Sequence, residues 1–135
     1  MKKTDLAYVA GIIDGEGCIG IYKHKHRYYL QVAVHMTNEW LVNWLSFAFK
    51  GSISTYGYYR KRENCQKEWA WNLTGKKALV FLELVYPYLK LKKPQAEIAI
   101  QFQKHKVLPK ALTDGQRAIA EAQRILISNL KKEGV

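Results

Sequence analysis

Apolar residues recur along the chain with two periods, one typical of helices and one typical of strands. Near the N-terminus, a helical stripe is predicted to begin at a cap residue, Thr4 or Asp5. It is predicted to end at segment 14–17, because two glycines in four residues stop a helix. The core-facing residues of this stripe are Leu6, Val9, Ala10 and Ile13.

Two pairs of strands follow. Alternating apolar positions over residues 18–23 and 28–34 predict an antiparallel hairpin with a somewhat long basic loop, and residues 52–60 and 68–73 predict a second hairpin. Helices are expected over 39–48, 76–85, 94–106 and 116–131, the last with a capping box of Thr113 and Gln116. The order α-β-β-α-β-β-α plus two helices predicts an α+β fold with a four-stranded antiparallel sheet.

The length of 135 residues suits one domain, with a core over about residues 5–106 and a C-terminal helical extension over about 107–135. The last helix carries an apolar stripe at helical spacing. Core packing is the expected role of this stripe, and additional dimer contact is the alternative. Its residues are Ala118, Ala122, Ile125 and Leu126.

The net charge limits the classes of partner that the protein is expected to bind. At +11, it favours polyanionic partners, with nucleic acid expected first and an anionic membrane second. The two cysteines, Cys18 and Cys65, form no zinc-site spacing. Neither a secretory signal nor an apolar run of about 18 residues is evident. We therefore expect an intracellular protein, cytoplasmic or in an organelle matrix if organelle-encoded, that is not secreted and acts on neither a membrane nor a small molecule.

Residues 9–17, Val-Ala-Gly-Ile-Ile-Asp-Gly-Glu-Gly, resemble the signature of the LAGLIDADG homing endonucleases. Segment 87–96, Pro-Tyr-Leu-Lys-Leu-Lys-Lys-Pro-Gln-Ala, is similar to the start of that family's fourth helix, and segments 36–41 and 51–53 match locally. With the element order, the resemblance covers residues 5 to about 105. It implies an αββαββα core and a site-specific endonuclease that hydrolyses both strands of a long, near-palindromic double-stranded DNA site with metal-activated water.

The resemblance also implies the catalytic site. The Glu16 carboxylate and the Gly15 backbone carbonyl would bind the divalent cation, Mg²⁺ or another such as Mn²⁺, and Lys92 would be the basic active-site residue. Asp14 is expected to have a structural role at the helix end. Independently of the family, two Glu16 carboxylates brought together by symmetry would repel each other unless a cation lay between them.

Small residues on the first helix indicate a close helix contact. Ala7 and Gly11 lie four residues apart with Ala10 beside them, and Gly11 costs about 1 kcal/mol relative to alanine inside a helix. The resemblance implies that this helix packs against its own copy. Because the chain holds one motif, a homodimer is expected, with Ala7, Ala10, Gly11 and Asp14 at its interface.

The polar face of the sheet is the expected DNA-binding surface. Side chains on this face suit base edges in the major groove, Gln31 for adenine and Arg60 for guanine, while the basic hairpin loops suit phosphates. The predicted DNA-binding residues are Tyr22, His24, His26, Arg27, Tyr29, Gln31, Ala33, Ser54, Tyr56, Tyr58, Arg60, Arg62 and Asn72.

One position departs from the family. Members often carry Gln or Asn near the end of the second strand, where Met36 stands here and cannot orient water by hydrogen bonding. A non-cleaving DNA- or RNA-binding protein of the same fold, a regulator or maturase-like partner, is therefore the first alternative. An unrelated basic RNA-binding protein is the second. The sequence leaves an intron, intein or free-standing origin open.

Overall fold

The computed structural model describes residues 1–56, 67–106 and 112–134, and their elements follow the predicted α+β order. The N-terminal half comprises α1 (Lys3–Glu16), β1 (Gly17–His24), β2 (Arg27–Met36) and α2 (Glu39–Phe49). The rest comprises β3 (Ser52–Tyr56), β4 (Glu68–Thr74), α3 (Gly75–Val85), a 3₁₀ turn (Tyr86–Tyr88), α4 (Lys93–Lys104) and α5 (Asp114–Lys132).

Several boundaries differ from prediction. Helix α1 starts before Thr4 and Asp5, with Lys2 at the N-cap position and no side-chain cap, so the predicted caps are wrong. The first hairpin closes through two residues rather than a long loop, because Lys25 adopts a left-handed φ of 56°. The predicted extension of the third strand to residue 60 lies outside the described residues. The capping box is confirmed, since Thr113 and Gln116 exchange hydrogen bonds of 3.2 and 2.9 Å.

The four strands form one antiparallel sheet in the order β1-β2-β4-β3. The register sets Ile19 opposite Val32 and Val32 opposite Leu73, while Val34 faces Trp71. All five side chains are buried, so the alternation predicted one face of the sheet correctly.

Helices cover that face. Helix α1 buries Val9 and Ile13 completely in the core. Trp71 of β4 and Phe81 of α3 meet edge-on at 5.3 Å between ring centroids, and Phe49 of α2 meets Phe81 at 4.9 Å. This aromatic cluster fixes α2 and α3 on the sheet.

Helix α5 packs on α4 and β1 with a different face from the one predicted. Ala120 and Ile127 are buried in the core, whereas Ile125 and Leu126 are exposed, so the predicted core stripe is wrong. The hydroxyl of Tyr28 donates to Glu121 Oε2 at 2.7 Å, so a polar contact also joins α5 to β2. In the described parts of the chain, no helix has the length and apolarity to cross a membrane.

Candidate functional site

The end of α1 presents an exposed carboxylate. Glu16 is the last residue of the helix and not, as predicted, just beyond it, since α1 continues through Gly15. Both residues are exposed. The Gly15 carbonyl lies in the last helical turn, where carbonyl groups lack intrahelical donors. Two oxygen donors are thus available at the helix end.

Lys92, the residue before α4, reaches the same helix end. Its ammonium donates to the Ile13 carbonyl at 3.0 Å and to the Gly17 carbonyl. A cation is favoured there because the last carbonyls of a helix carry partial negative charge. Burial lowers the pKa of Lys92, against the opposing influence of Cys18, Asp14 and Glu16. The predicted catalytic residues Glu16 and Lys92 therefore lie at the same end of α1.

Asp14 fixes the chain segment that carries Lys92. Its carboxylate accepts backbone N–H groups of Lys90, Leu91 and Lys92 at 2.9, 3.2 and 2.9 Å. Burial alone would raise the pKa of Asp14, but these donors and the nearby ammonium hold it below its ordinary value. The expected structural role is therefore served by long-range bonds rather than by a local turn. The carboxylate is occupied by its own chain, and a dimer contact of Asp14 remains a prediction.

The donors at the end of α1 fit a hard divalent cation in kind but not in number. A carboxylate and a backbone carbonyl are oxygen ligands that Mg²⁺ accepts, yet octahedral coordination needs six ligands. Among the described residues, no group of three or more His, Cys, Asp or Glu side chains is placed to hold a metal. One subunit therefore supplies at most part of such a site.

The outer face of α1 is built of small residues. Ala7 and Gly11 are exposed, and a Cβ added at Gly11 or Gly15 would meet no atom of the described residues within 4 Å, apart from the neighbouring backbone of its own helix. These glycines are thus not required by packing within the subunit. Ala10 lies beside this face of the helix but is fully buried in the core, so it has no exposed surface to offer a second copy, and its assignment to the dimer interface stays a prediction that this burial does not favour.

An aromatic patch borders this face, and sequence analysis missed it. Tyr8 of α1 is 54% exposed and meets Trp44 of α2 edge-on at 5.9 Å, while Trp40 is 68% exposed and stacks on Trp44 at 6.3 Å. The exposed Phe47 lies on the same face of α2. The spacing of residues 40, 44 and 47 was the available signal. Contiguous exposed aromatic residues mark interaction surfaces.

The outer face of the sheet carries most of the predicted DNA-binding residues that the structure describes. Tyr22 pairs with Tyr29 across the first hairpin, with ring centroids 5.7 Å apart. Gln31 Nε2 donates to Asn72 Oδ1 at 2.7 Å, so these two amides are held together. Ala33 lies between larger side chains and is only 6% exposed, so it offers little surface to DNA, and its assignment as a DNA contact stays a prediction.

The hairpin tip and the far edge are exposed. His24, His26 and Arg27 project at the end of the first hairpin, and Ser54 is exposed on the edge strand β3. Tyr56 pairs with Glu68 at the end of the described part of β3. The predicted residues Tyr58, Arg60 and Arg62 lie outside the described residues.

The chain matches no protein-family model and no curated protein by sequence, but it matches solved structures. The homing endonuclease I-CvuI, in complex with the I-CreI target and with the DNA not cleaved in Mg, gives a TM-score of 0.76 at 21% identity over 95% of this chain and 82% of that chain. The archaeal intron-encoded homing endonuclease I-Vdi141I, complexed with DNA, gives a TM-score of 0.78 at 13% identity over 96% of this chain and 86% of that chain. The LAGLIDADG meganuclease I-AabMI, bound to uncleaved DNA, gives a TM-score of 0.68 at 16% identity over 88% of this chain and 43% of that chain.

The chain has the LAGLIDADG homing-endonuclease fold. The predicted fold and the resemblance are thereby confirmed at the level of architecture. The chain corresponds to most of I-CvuI and I-Vdi141I, but to less than half of I-AabMI.

In this LAGLIDADG fold, the C-terminal helix also reaches the outer face of the sheet. Lys131 Nζ donates to Cys18 Sγ at 3.3 Å and lies 5.7 Å from the ring centroid of Tyr22. Burial would raise the pKa of Cys18, but the Tyr22 hydroxyl and the Lys131 charge lower it overall. The contact joins residues 113 positions apart, so no local sequence signal was available for it.

Proposed function

We propose that the chain is a site-specific DNA endonuclease that acts as a homodimer. Its two sheets bind the halves of a near-palindromic duplex, and both strands are hydrolysed by water activated by a divalent cation, Mg²⁺ or Mn²⁺. One observation carries the proposal: the exposed small-residue face of α1 ends in the exposed carboxylate of Glu16. The fold, shared with homing endonucleases bound to DNA, supports it.

The dimer forms through α1. Two copies of the face carrying Ala7 and Gly11 pack closely because neither residue has a bulky side chain there. The aromatic patch of Tyr8, Trp40 and Trp44 continues this surface and adds apolar area that is otherwise exposed to water. With the two-fold axis running along α1, the two helices are parallel, and the two Glu16 carboxylates lie on the same side of the dimer.

The cation is held between subunits by the Glu16 carboxylates and the Gly15 carbonyls. When bound, it lowers the pKa of a water molecule and stabilises negative charge on the phosphate. Lys92 holds the carbonyl end of α1 in place and contributes positive charge beside the scissile phosphate. Asp14 keeps Lys92 in position through the backbone of segment 90–92.

The outer face of the sheet binds DNA. Tyr22, Tyr29, Gln31 and Asn72 face base edges together with Ser54, Tyr56, Tyr58 and Arg60, while His24, His26, Arg27 and Arg62 contact phosphates. If the dimer neutralises about 10 phosphates, log Kd against log salt concentration has a slope of magnitude near 9.

The test is a cleavage selection on a randomised duplex library in Mg²⁺, Ca²⁺ and EDTA. The chain is compared with Glu16→Gln and with Glu97→Gln, which removes an exposed carboxylate from α4. We expect paired ends around a two-fold site with the native chain and with Glu97→Gln, and none with Glu16→Gln or EDTA. Cleavage that survives Glu16→Gln would refute the assigned site.

Met36 supports one other function, a non-cleaving DNA- or RNA-binding protein. It is half-buried against the core, opposite Trp69 in the sheet, and supplies no strong hydrogen-bonding group. In that case, the native chain retains a palindromic duplex, or an RNA, without cutting. A gain of cleavage in Met36→Gln would identify Met36 as the cause, and native cleavage would exclude this alternative.

A further inference from the structure

A groove runs between the end of α2 and the outer side of α3, on the helical layer of the molecule. Its floor is apolar: Val80 is 59% exposed and Leu84 is 45% exposed, above the buried ring of Phe81. Phe81 in turn packs edge-on against Phe49 and Trp71. The remaining lining is formed by Ala48, Lys50, Lys76 and Lys77.

The rim of this groove is positively charged. Lys50, Lys76 and Lys77 are exposed, and none forms an ion pair with an acidic residue in the described parts of the chain. Lys76 and Lys77 lie in the first turn of α3, which contains no acidic residue and has no side-chain cap. The partial positive charge of the helix start therefore adds to that of the lysines.

We propose that this groove binds a short acidic segment of a partner protein. Apolar side chains of the segment lie on Val80 and Leu84, while its carboxylates face the three lysines. A second copy of the chain is a poor occupant of this groove because it has only 11 acidic residues against 22 lysines and arginines, so it offers few carboxylates to face the three lysines. Nucleic acid would satisfy the lysines but offers little apolar surface to cover the floor.

The groove lies on the opposite side of the sheet from the DNA-binding surface and uses none of its residues. The proposal is therefore independent of endonuclease activity. A partner bound here leaves the outer sheet face and Glu16 free.

The probe is a fluorescent peptide of about 14 residues, with leucines at positions i, i+3, i+4 and i+7 and glutamates elsewhere, titrated with the full chain. A scrambled peptide removes the apolar stripe, and a Glu-to-Gln peptide removes the charge. We expect both to bind at least about tenfold more weakly than the probe. Equal binding of all three peptides, or no binding up to about 1 mM, would overturn the proposal.

Variants locate the binding. Val80→Ser with Leu84→Ser should weaken binding at least about tenfold, whereas Ile119→Ser, an equally exposed aliphatic residue on α5, should not. Lys76→Gln with Lys77→Gln should weaken binding and reduce its salt dependence, with Lys132→Gln as the control. A single-stranded RNA is tested as a competitor of the peptide. If this RNA displaces the peptide, and if RNA binding needs the lysines but not Val80 and Leu84, the groove is a nucleic-acid surface and the proposal is wrong.

Discussion

Replacing Gly11 with alanine separates the stability of the subunit from its self-association. Within the subunit, a Cβ at Gly11 meets nothing within 4 Å, so the methyl group adds no clash. Alanine is favoured over glycine in a helix interior by about 1 kcal/mol. The isolated subunit should therefore become more stable by about that amount.

In the proposed dimer the same change has the opposite sign. Symmetry adds two methyl groups between closely packed helices, and overpacking costs about 1–3 kcal/mol at each site. A total of about 2–6 kcal/mol corresponds to a dimer dissociation constant raised from about 30-fold to more than 10⁴-fold. One substitution should thus stabilise the fold and weaken the dimer.

Two measurements on the same variant test this. Urea denaturation, at concentrations where the chain is monomeric, gives the free energy of unfolding, and sedimentation velocity over a concentration series gives the dissociation constant. Gly115→Ala is the matched control, because Gly115 lies in α5 and a Cβ there also meets nothing within 4 Å. If Gly11→Ala stabilises the subunit and leaves the dissociation constant unchanged, α1 is not the interface and the argument from small residues fails.

Three further predictions concern the end of α1 and the contacts of α5. Gly17→Ala should destabilise the subunit by about 1–3 kcal/mol in urea denaturation, because its Cβ would lie 2.7 Å from Ile13 Cα. Gly15→Ala is the control and should not destabilise the subunit, so equal effects of the two variants would contradict this prediction. Asp14→Ala leaves three backbone N–H donors without their acceptor and should lower the free energy of unfolding by about 2 kcal/mol or more. Asp14→Asn should lower it less, and equal losses of stability in the two variants would exclude the carboxylate as the cause. Arg124 and Tyr28 lower the pKa of Glu121 to about 2, so its stabilisation is complete above its ordinary pKa and is lost as the pH falls from about 4.5 towards 2. Glu121→Gln should reduce the fall in melting temperature as the pH is lowered through this range. An equal fall in the variant and in the native chain would refute this role of Glu121.

The local pattern of the sequence predicted the elements because each strand and helix buries one face. Alternation placed Val32 and Val34 inward, and the structure confirms this. It could not predict the two-residue turn, since a left-handed Lys25 has no glycine-like signature. The phase of α5 also failed, because the core buries a different apolar pair seven residues apart, Ala120 and Ile127.

The motif located Glu16 and Lys92 but not the contacts that position them. The bonds from Asp14 to segment 90–92 span 76 to 78 residues, and the Lys131–Cys18 contact spans 113. Periodicity reports which face of an element is buried, not which distant element meets it. The aromatic patch was different, since the spacing of Trp40 and Trp44 was visible in the sequence.

The same contacts order, within one subunit, the helix end that carries the proposed site. The Asp14 side chain leaves α1 to bind the backbone before α4, and the Lys92 side chain returns to the carbonyls at the end of α1. The two bonds run in opposite directions between the same two segments and hold them together. Glu16 lies at the terminus of this cross-linked helix end. In the proposed homodimer, the role of dimerisation would therefore be to bring two such helix ends together around one cation rather than to shape either of them.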